Sequence, residues 1–295
     1  MRISVSKASR AATFELGLWP RDRIIASVAQ GTEKDCRLAA EAWGVERPVA
    51  WDALRPPSET DHDTAFVLGA GRSICELDSS KYEYIASQTS GAINSWLAHS
   101  AFIPTFVFAE NVSRKQWDSS ESHATNPRLR AILVTRFSGL HSAPSRSTDA
   151  MRLQVPASLK HKTHYYSTVP LLGRTRRGTY HYFRGLVSFA LTNRILTGPT
   201  STTLERAILM FALSGYRRIV LCGIDLRGPY WWDDVQAARN KPVLTDRRRI
   251  VAGRVSRRLP VLAEVLRDEL GASVEVASSK IALASILPIY DDWSS

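Results

Sequence analysis

The chain has 295 residues, 44% hydrophobic and 23% charged, an ordinary balance for a globular protein that excludes wholesale disorder. Its formal net charge of +11 points to an anionic partner (nucleic acid, an acidic membrane surface or a phosphorylated substrate) or else to an arginine-rich solvated surface. No apolar run reaches the roughly 18 residues of a bilayer span, no signal-length apolar stretch follows Arg2, Lys7 and Arg10, and no RRM, zinc-finger or helix-turn-helix signature accompanies the charge, so the expectation is a cytoplasmic protein.

Residues 1–62 read as an N-terminal extension: a short strand over Arg23–Ala29, an amphipathic helix over Glu33–Trp43 and a polar, Pro-containing linker over Arg55–Asp63. From residue 63 to 295 the pattern becomes that of one domain. Thr64–Leu68 (TAFVL) is a buried strand running into Gly69-Ala70-Gly71; Tyr84–Ser87, Thr105–Ala109 and Ala131–Thr135 are further short apolar runs. Apolar spacing predicts a helix over Thr203–Ser214, closed by Gly215-Tyr216, and a strand over Arg217–Cys222. A second helix over Leu259–Leu270 stops at Gly271, and Ser273–Ala277 is a last strand. Strands alternating with helices across short Gly-bearing turns predict an α/β fold with a mostly parallel sheet covered on both faces.

Three segments carry chemistry. Gly69, Ala70 and Gly71 directly follow a strand, where glycine permits a sharp turn and close approach of a phosphate or ribose to main-chain N–H groups, with the Ser73 hydroxyl at the same edge. The third glycine of a dinucleotide fingerprint is missing, since position 74 is Ile, and a tight turn with no ligand is the other reading. Thr200-Ser201-Thr202-Thr203 precedes a helix, and Thr202 with Glu205 forms a capping-box pattern; one cap needs one hydroxyl, so four suggest an anion or ribose site at the helix N-terminus. Gly223-Ile224-Asp225 ends a strand where open α/β sheets bind ligands, the alternative being that Asp225 holds a loop through backbone N–H groups. The loop after it, Arg227-Gly228-Pro229-Tyr230-Trp231-Trp232-Asp233-Asp234, combines aromatics, a cation and carboxylates and is a candidate for sugar contact. The three cysteines, Cys36, Cys75 and Cys222, are far apart; Cys75 and Cys222 read as small buried side chains, and with no CxxC or HxxxH cluster no metal site is expected.

The strings VLGAGRSICELDSSKYEYIASQTSGAINSW, TFVFAEN and STTLERAILMFALSGYRRIVLCGIDL together resemble the pattern of the family-42 bacterial sialyltransferases and related Kdo and nonulosonate transferases, over about residues 64–285. That resemblance implies a Rossmann-like, GT-A-like variant domain with a small lid at about 226–258, binding a CMP-sugar without a metal ion or other cofactor. Carried over, Gly69, Ala70, Gly71 and Ser73 would line the CMP phosphate and ribose. Asn94 and Ser95 would contact the donor, Glu110 or Asn111 would lie near the cytidine or sugar, and Ser201, Thr202, Thr203, Gly223 and Asp225 would complete the donor site. Tyr230 matches the second of two tyrosines that stabilise the departing phosphate, and Arg227 stands where the first would be. The family's histidine base has no counterpart, since no histidine follows His181 and Arg254 stands in its region; Asp233, Asp234 or Asp246, or one of His161, His164 and His181, remain as candidates. The implied partners are a glycan or glycolipid acceptor and an anionic surface of the inner membrane, not nucleic acid, with a homo-oligomer left open. Two other readings stay beside this one: a nucleotide-binding enzyme of different, pyrophosphokinase-like chemistry, and a basic binding protein without catalysis.

Overall fold

The computed structural model describes residues 23–28, 30, 53–55, 63–94, 96–98, 103–111, 114–136, 155–171, 173–199, 202–226 and 242–293. In chain order these form β1 (Thr64–Leu68), α1 (Ser79–Ser87), β2 (Thr89–Ile93), β3 (Phe106–Asn111), α2 (Arg114–Glu121), β4 (Ala131–Arg136), β5 (Thr163–Tyr165), β6 (Ser167–Val169), α3 (Arg176–Asn193), β7 (Thr197–Pro199), α4 (Thr203–Leu213), β8 (Arg218–Cys222), α5 (Pro242–Leu270) and β9 (Ser273–Val276). Seven strands build one sheet in the order β5-β4-β3-β2-β1-β8-β9, with every pair parallel, and β6 and β7 form a separate parallel pair.

Each central strand serves two cores. Ala65 and Val67 of β1, Phe106 and Phe108 of β3, and Ile219 and Leu221 of β8 face one cluster, which α3, α4 and α5 cover. Their neighbours Phe66, Leu68, Val107, Ala109, Val220 and Cys222 face the other, closed by Ile74, Ile85, Trp96, Trp117 and Tyr290. Continuous apolar runs such as TAFVL are what a parallel strand buried on both faces requires.

The sequence and the structure differ at identifiable places. Residues 23–28 are helical rather than extended, because Ile24, Ile25 and Val28 lie on one helical face and pack on the first core. Tyr84–Ser87 ends α1, a helix opened by Asp78, whose side chain accepts the Lys81 N–H. Cys75 is exposed, in the 3-10 turn Arg72–Glu76, whereas Cys222 is buried. The helix expected over Leu259–Leu270 begins much earlier, at Pro242. The expected helix over Glu33–Trp43, Cys36 and the linker between Arg55 and Asp63 lie outside the described residues.

Elements the periodicity left out have specific supports. Strand β2 (TSGAI) is held by a reciprocal pair: the Ser90 N–H donates to Thr105 Oγ1 at 3.2 Å and the Thr105 N–H to Ser90 Oγ at 3.4 Å. Half-buried beside it, Arg128 donates Nε to the Ile103 carbonyl at 2.5 Å and Nη2 to the Ile85 and Gln88 carbonyls at 3.3 Å, placing a cation at the C-terminus of α1. Helix α3 is opened by Thr175, whose hydroxyl accepts the Gly178 N–H at 2.9 Å. At Gly91 a β-carbon would meet the Phe108 ring at 2.6 Å and the Phe211 ring at 2.7 Å, so β2 has no side chain there because α4 sits directly on it.

Gly91→Val should therefore destabilise the domain by about 1–3 kcal/mol through overpacking. Gly253→Ala, in the interior of α5 with nothing within 4 Å of a new β-carbon, should stabilise it by up to about 1 kcal/mol. Urea denaturation of the two variants beside the parent protein measures both, and opposite signs are the required result.

Candidate functional site

From β1 the chain steps outward through β2, β3, β4 and β5, then returns to the other side of β1 with β8 and β9. The strand order thus reverses between β1 and β8, and the crevice outside the carboxyl ends of such strands is where open α/β sheets take ligands. Gly69, Gly71 and Ser73 follow β1 there, Gly223 and Asp225 follow β8, and Asn94 follows β2.

The two turns at the reversal are locked together. The Gly69 N–H donates to the Cys222 carbonyl at 2.8 Å and the Gly71 N–H to the Gly223 carbonyl at 2.7 Å. Asp225 accepts the Ser73 N–H at 2.9 Å and also the Ser73 hydroxyl. A β-carbon on Gly69 or on Gly71 would lie 2.6 Å from the Gly223 carbonyl oxygen, and one on Gly71 2.5 Å from Asp225 Cγ. Both glycines are therefore demanded by the approach of one loop to the other, and Gly223 itself sits at φ +66°. The main-chain donors of Gly69, Gly71 and Ser73 are engaged within the protein, and Asp225 makes the loop-holding contacts. Behind the turn, Tyr82 donates its hydroxyl to the Ile74 carbonyl at 2.7 Å, and burial pushes that phenol up to about 12.

The amino end of α4 reaches the same edge. Thr202 is its N-cap: the hydroxyl accepts the Glu205 N–H at 3.2 Å and donates to Glu205 Oε2 at 3.1 Å. Here the acid bonds the capping hydroxyl, where a full capping box would use the N-cap N–H. Thr203 donates its hydroxyl to Asn94 Oδ1 at 3.2 Å. Asn94 holds the left-handed region at φ 56° while its N–H donates to the Phe108 carbonyl at 2.8 Å. Leu68 pairs with Ala92, which sets Asn94 level with the glycine corner. The glycine corner, Asn94, Thr203 and Asp225 thus share one stretch of sheet edge.

Glu110 and Asn111 lie at the carboxyl end of β3, beyond β2 from β1. Ser95, Ser201, Arg227, Tyr230, Asp233 and Asp234 lie outside the described residues. His164 is on β5, four strands from β1, which at about 4.8 Å per strand is roughly 19 Å away. His161 is exposed on the turn before β5, and His181 lies on α3. Arg254 is exposed on α5. Beside the reversal, Ser73, Leu77, Cys222, Gly223, Ala277 and Ile281 line a narrow cleft too tight to admit a water-sized sphere. Among the described residues no group of three or more His, Cys, Asp or Glu is placed to hold a metal ion, and no helix is long and apolar enough to cross a membrane. Sequence reasoning missed Tyr82, whose hydroxyl bond to the Ile74 carbonyl no local pattern announces.

The architecture is that of an α/β protein with a doubly covered parallel sheet and a candidate site at its switch point. No family model and no curated protein matches the chain. Among solved structures it is similar to the sialyltransferase CstII from Campylobacter jejuni in complex with the substrate analogue CMP-3FNeuAc, at 13% identity over 79% of this chain and 88% of that one, with a TM-score of 0.42. It is also similar to an alpha-2,3-sialyltransferase from Campylobacter jejuni in apo form (12% identity, 81% and 84% coverage, TM-score 0.43). A third similar structure is the monofunctional alpha-2,3-sialyltransferase Cst-I from Campylobacter jejuni (13% identity, 82% and 86% coverage, TM-score 0.41). At such identities and scores they say nothing of what this chain binds.

The two described thiols should differ sharply. Burial pushes the Cys222 thiol up, whereas Cys75 is exposed. Titration of the native protein with a thiol reagent near pH 8 should lose one reactive group in Cys75→Ser and none in Cys222→Ala.

Proposed function

We propose that this protein transfers an acidic sugar, such as sialic acid, Kdo or a related nonulosonate, from its CMP donor to the hydroxyl of a cell-surface glycan or glycolipid. The observation that carries the reading is the meeting, at the switch point, of the glycine corner, Asn94, Thr203 and Asp225, the described members of the motif set behind the family-42 resemblance. The extension over 1–62, the catalytic domain over 63–295 and the lid at about 226–258 belong to the same proposal, as does peripheral contact with an anionic inner-membrane surface.

In this mechanism the acceptor oxygen attacks the anomeric carbon, the bond from that carbon to the CMP phosphate oxygen breaks, and CMP leaves with the electron pair. Asn94 and Thr203 bind and orient the donor, with Ser95, Ser201, Thr202, Glu110 and Asn111 in supporting contacts. Asp225 acts by holding the Ser73 turn in place, since its oxygens already accept from that residue. Tyr230 and Arg227 neutralise charge on the departing phosphate, and a carboxylate, Asp233, Asp234 or Asp246, takes the proton released by the acceptor hydroxyl. Catalysis of this kind rests on positioning and on electrostatic stabilisation of the leaving group, so it needs no metal at the phosphate.

A thermal-shift and calorimetric screen of CMP, CDP, UDP, GDP and ATP tests the reading. At a hundredfold excess over its dissociation constant a nucleotide adds about 2.7 kcal/mol, roughly 5–10 °C in midpoint for a domain of this size, and CMP should give the largest shift. A larger effect of ATP, or none from any nucleotide, overturns the proposal; in the second case steeply salt-dependent binding to duplex DNA or RNA identifies a basic binding protein. Thr203→Val should weaken CMP binding about tenfold with the domain still folded, whereas Thr202→Val also removes a helix cap and about 1 kcal/mol of stability.

A further inference from the structure

The first turn of α4 buries two consecutive charged side chains, Glu205 and Arg206, each at 0% relative exposure. Glu205 Oε1 lies 3.1 Å from Arg258 Nε of α5 as an ion pair, and the Arg258 side chain is itself only 13% exposed. Well-packed apolar residues hold two helices together as well as a buried ion pair does, so cohesion alone does not call for this pair. What an ion pair adds is a defined position. The other Glu205 oxygen accepts the Thr202 hydroxyl at 3.1 Å, and one residue on Thr203 reaches Asn94 at 3.2 Å. Polar contacts therefore run from α5 through the first turn of α4 to the end of β2. From the opposite side Arg206 donates Nε to the Pro199 carbonyl at 2.8 Å, and its stem passes where a β-carbon on Gly198 would lie 2.9 Å from Cγ.

We propose that the Glu205–Arg258 ion pair is a positioning device that makes the placement of Thr202 and Thr203, and with them the nucleotide contact, depend on where α5 lies. The nucleotide part rests on the function proposed above; the placement of the turn does not. Glu205 and Arg258 act through the threonines and touch no substrate.

The test uses the full chain with Glu205→Gln, Arg258→Gln and Arg258→Lys, read by amide hydrogen exchange over residues 203–207 and by calorimetry with CMP. Glu205→Gln and Arg258→Gln should raise exchange in that turn about tenfold while β8 and the C-terminal half of α5 keep theirs, and should weaken CMP about tenfold. Arg258→Lys, which keeps the cation, should return CMP affinity to within about threefold. Unchanged exchange in the turn, or a uniform rise across the sheet, overturns the proposal by leaving the pair a general stabiliser. Wild-type protein that binds no CMP but shows the local exchange response sinks the nucleotide reading and keeps the placement claim; equal CMP binding by wild type and all variants, with exchange in the turn unchanged, does the reverse. Should Glu205→Gln fail to fold, the two Arg258 variants decide the matter.

Discussion

The contact between the turns after β1 and β8 is the constraint on which the rest of the site depends. Two backbones approach closely enough that the Gly223 carbonyl oxygen occupies ground denied to a β-carbon at both Gly69 and Gly71. The approach aligns the carboxyl ends of the two strands at the reversal of strand order, and Asp225 completes it by accepting from Ser73. Any side chain at either glycine must separate the loops, and that separation would move Ser73, Asp225 and the lining of the adjoining cleft together. Glycine after a first strand is commonly read as clearance for a phosphate. Here the clearance is filled by protein, and the hydroxyl of Thr203 and the amide of Asn94 lie bonded to each other along the same sheet edge.

Legibility in the sequence followed burial on both faces. The runs TAFVL, TFVFA, AILVT and RIVLC announce strands because a central parallel strand must be apolar at successive positions, and no alternation is needed. Strand β2 is central too, yet it was illegible: Ser90 is buried by exchanging hydrogen bonds with Thr105, and Gly91 is vacant because Phe211 and Phe108 fill its place. Neither fact is local in sequence. Helix α3 was hidden for another reason, since its first turns carry arginines, histidine and aromatics with no clear apolar period, and its cap at Thr175 lacks an acidic partner in the first turn. Tyr84–Ser87 looked like a strand because four residues cannot show a helical period, while the deciding signal, Asp78 capping the helix, lies upstream.

The candidate site was legible in its parts and not in its connections. Gly69, Gly71, Thr202, Thr203, Gly223 and Asp225 stood out because each marks a strand end or a helix start. That Asn94 bonds Thr203, that Asp225 bonds Ser73, and that Glu205 turns toward Arg258 are contacts across separations that periodicity does not report. Glu205 was read as one half of a capping box. It also carries the ion pair to α5, and only the packing of α4 against α5 discloses that second role.

The same packing changes what the net charge of +11 signifies. A basic chain invites the inference of a polyanionic partner, but several arginines here act inside the protein. Arg206 is fully buried against the Pro199 carbonyl, and Arg128 gathers the carbonyls at the end of α1. Arg258 pairs with Glu205, and Arg218 joins Glu275 at 3.1 Å and Asp292 at 2.8 Å while its guanidinium lies 4.6 Å from the Tyr290 ring centre. A planar guanidinium carries five donors in a fixed fork against the three of a lysine ammonium, and it is more weakly hydrated, which suits it to several partners in buried surroundings. The ion pairs of Arg258 with Glu205 and of Arg218 with Glu275 and Asp292 already cancel in the formal count, so the surplus of +11 rests on the other cations. The electrostatic argument for a partner therefore rests on the arginines that stay exposed, Arg72, Arg177, Arg194, Arg254 and Arg257 among them. The one on α4, by contrast, belongs to the architecture of the site.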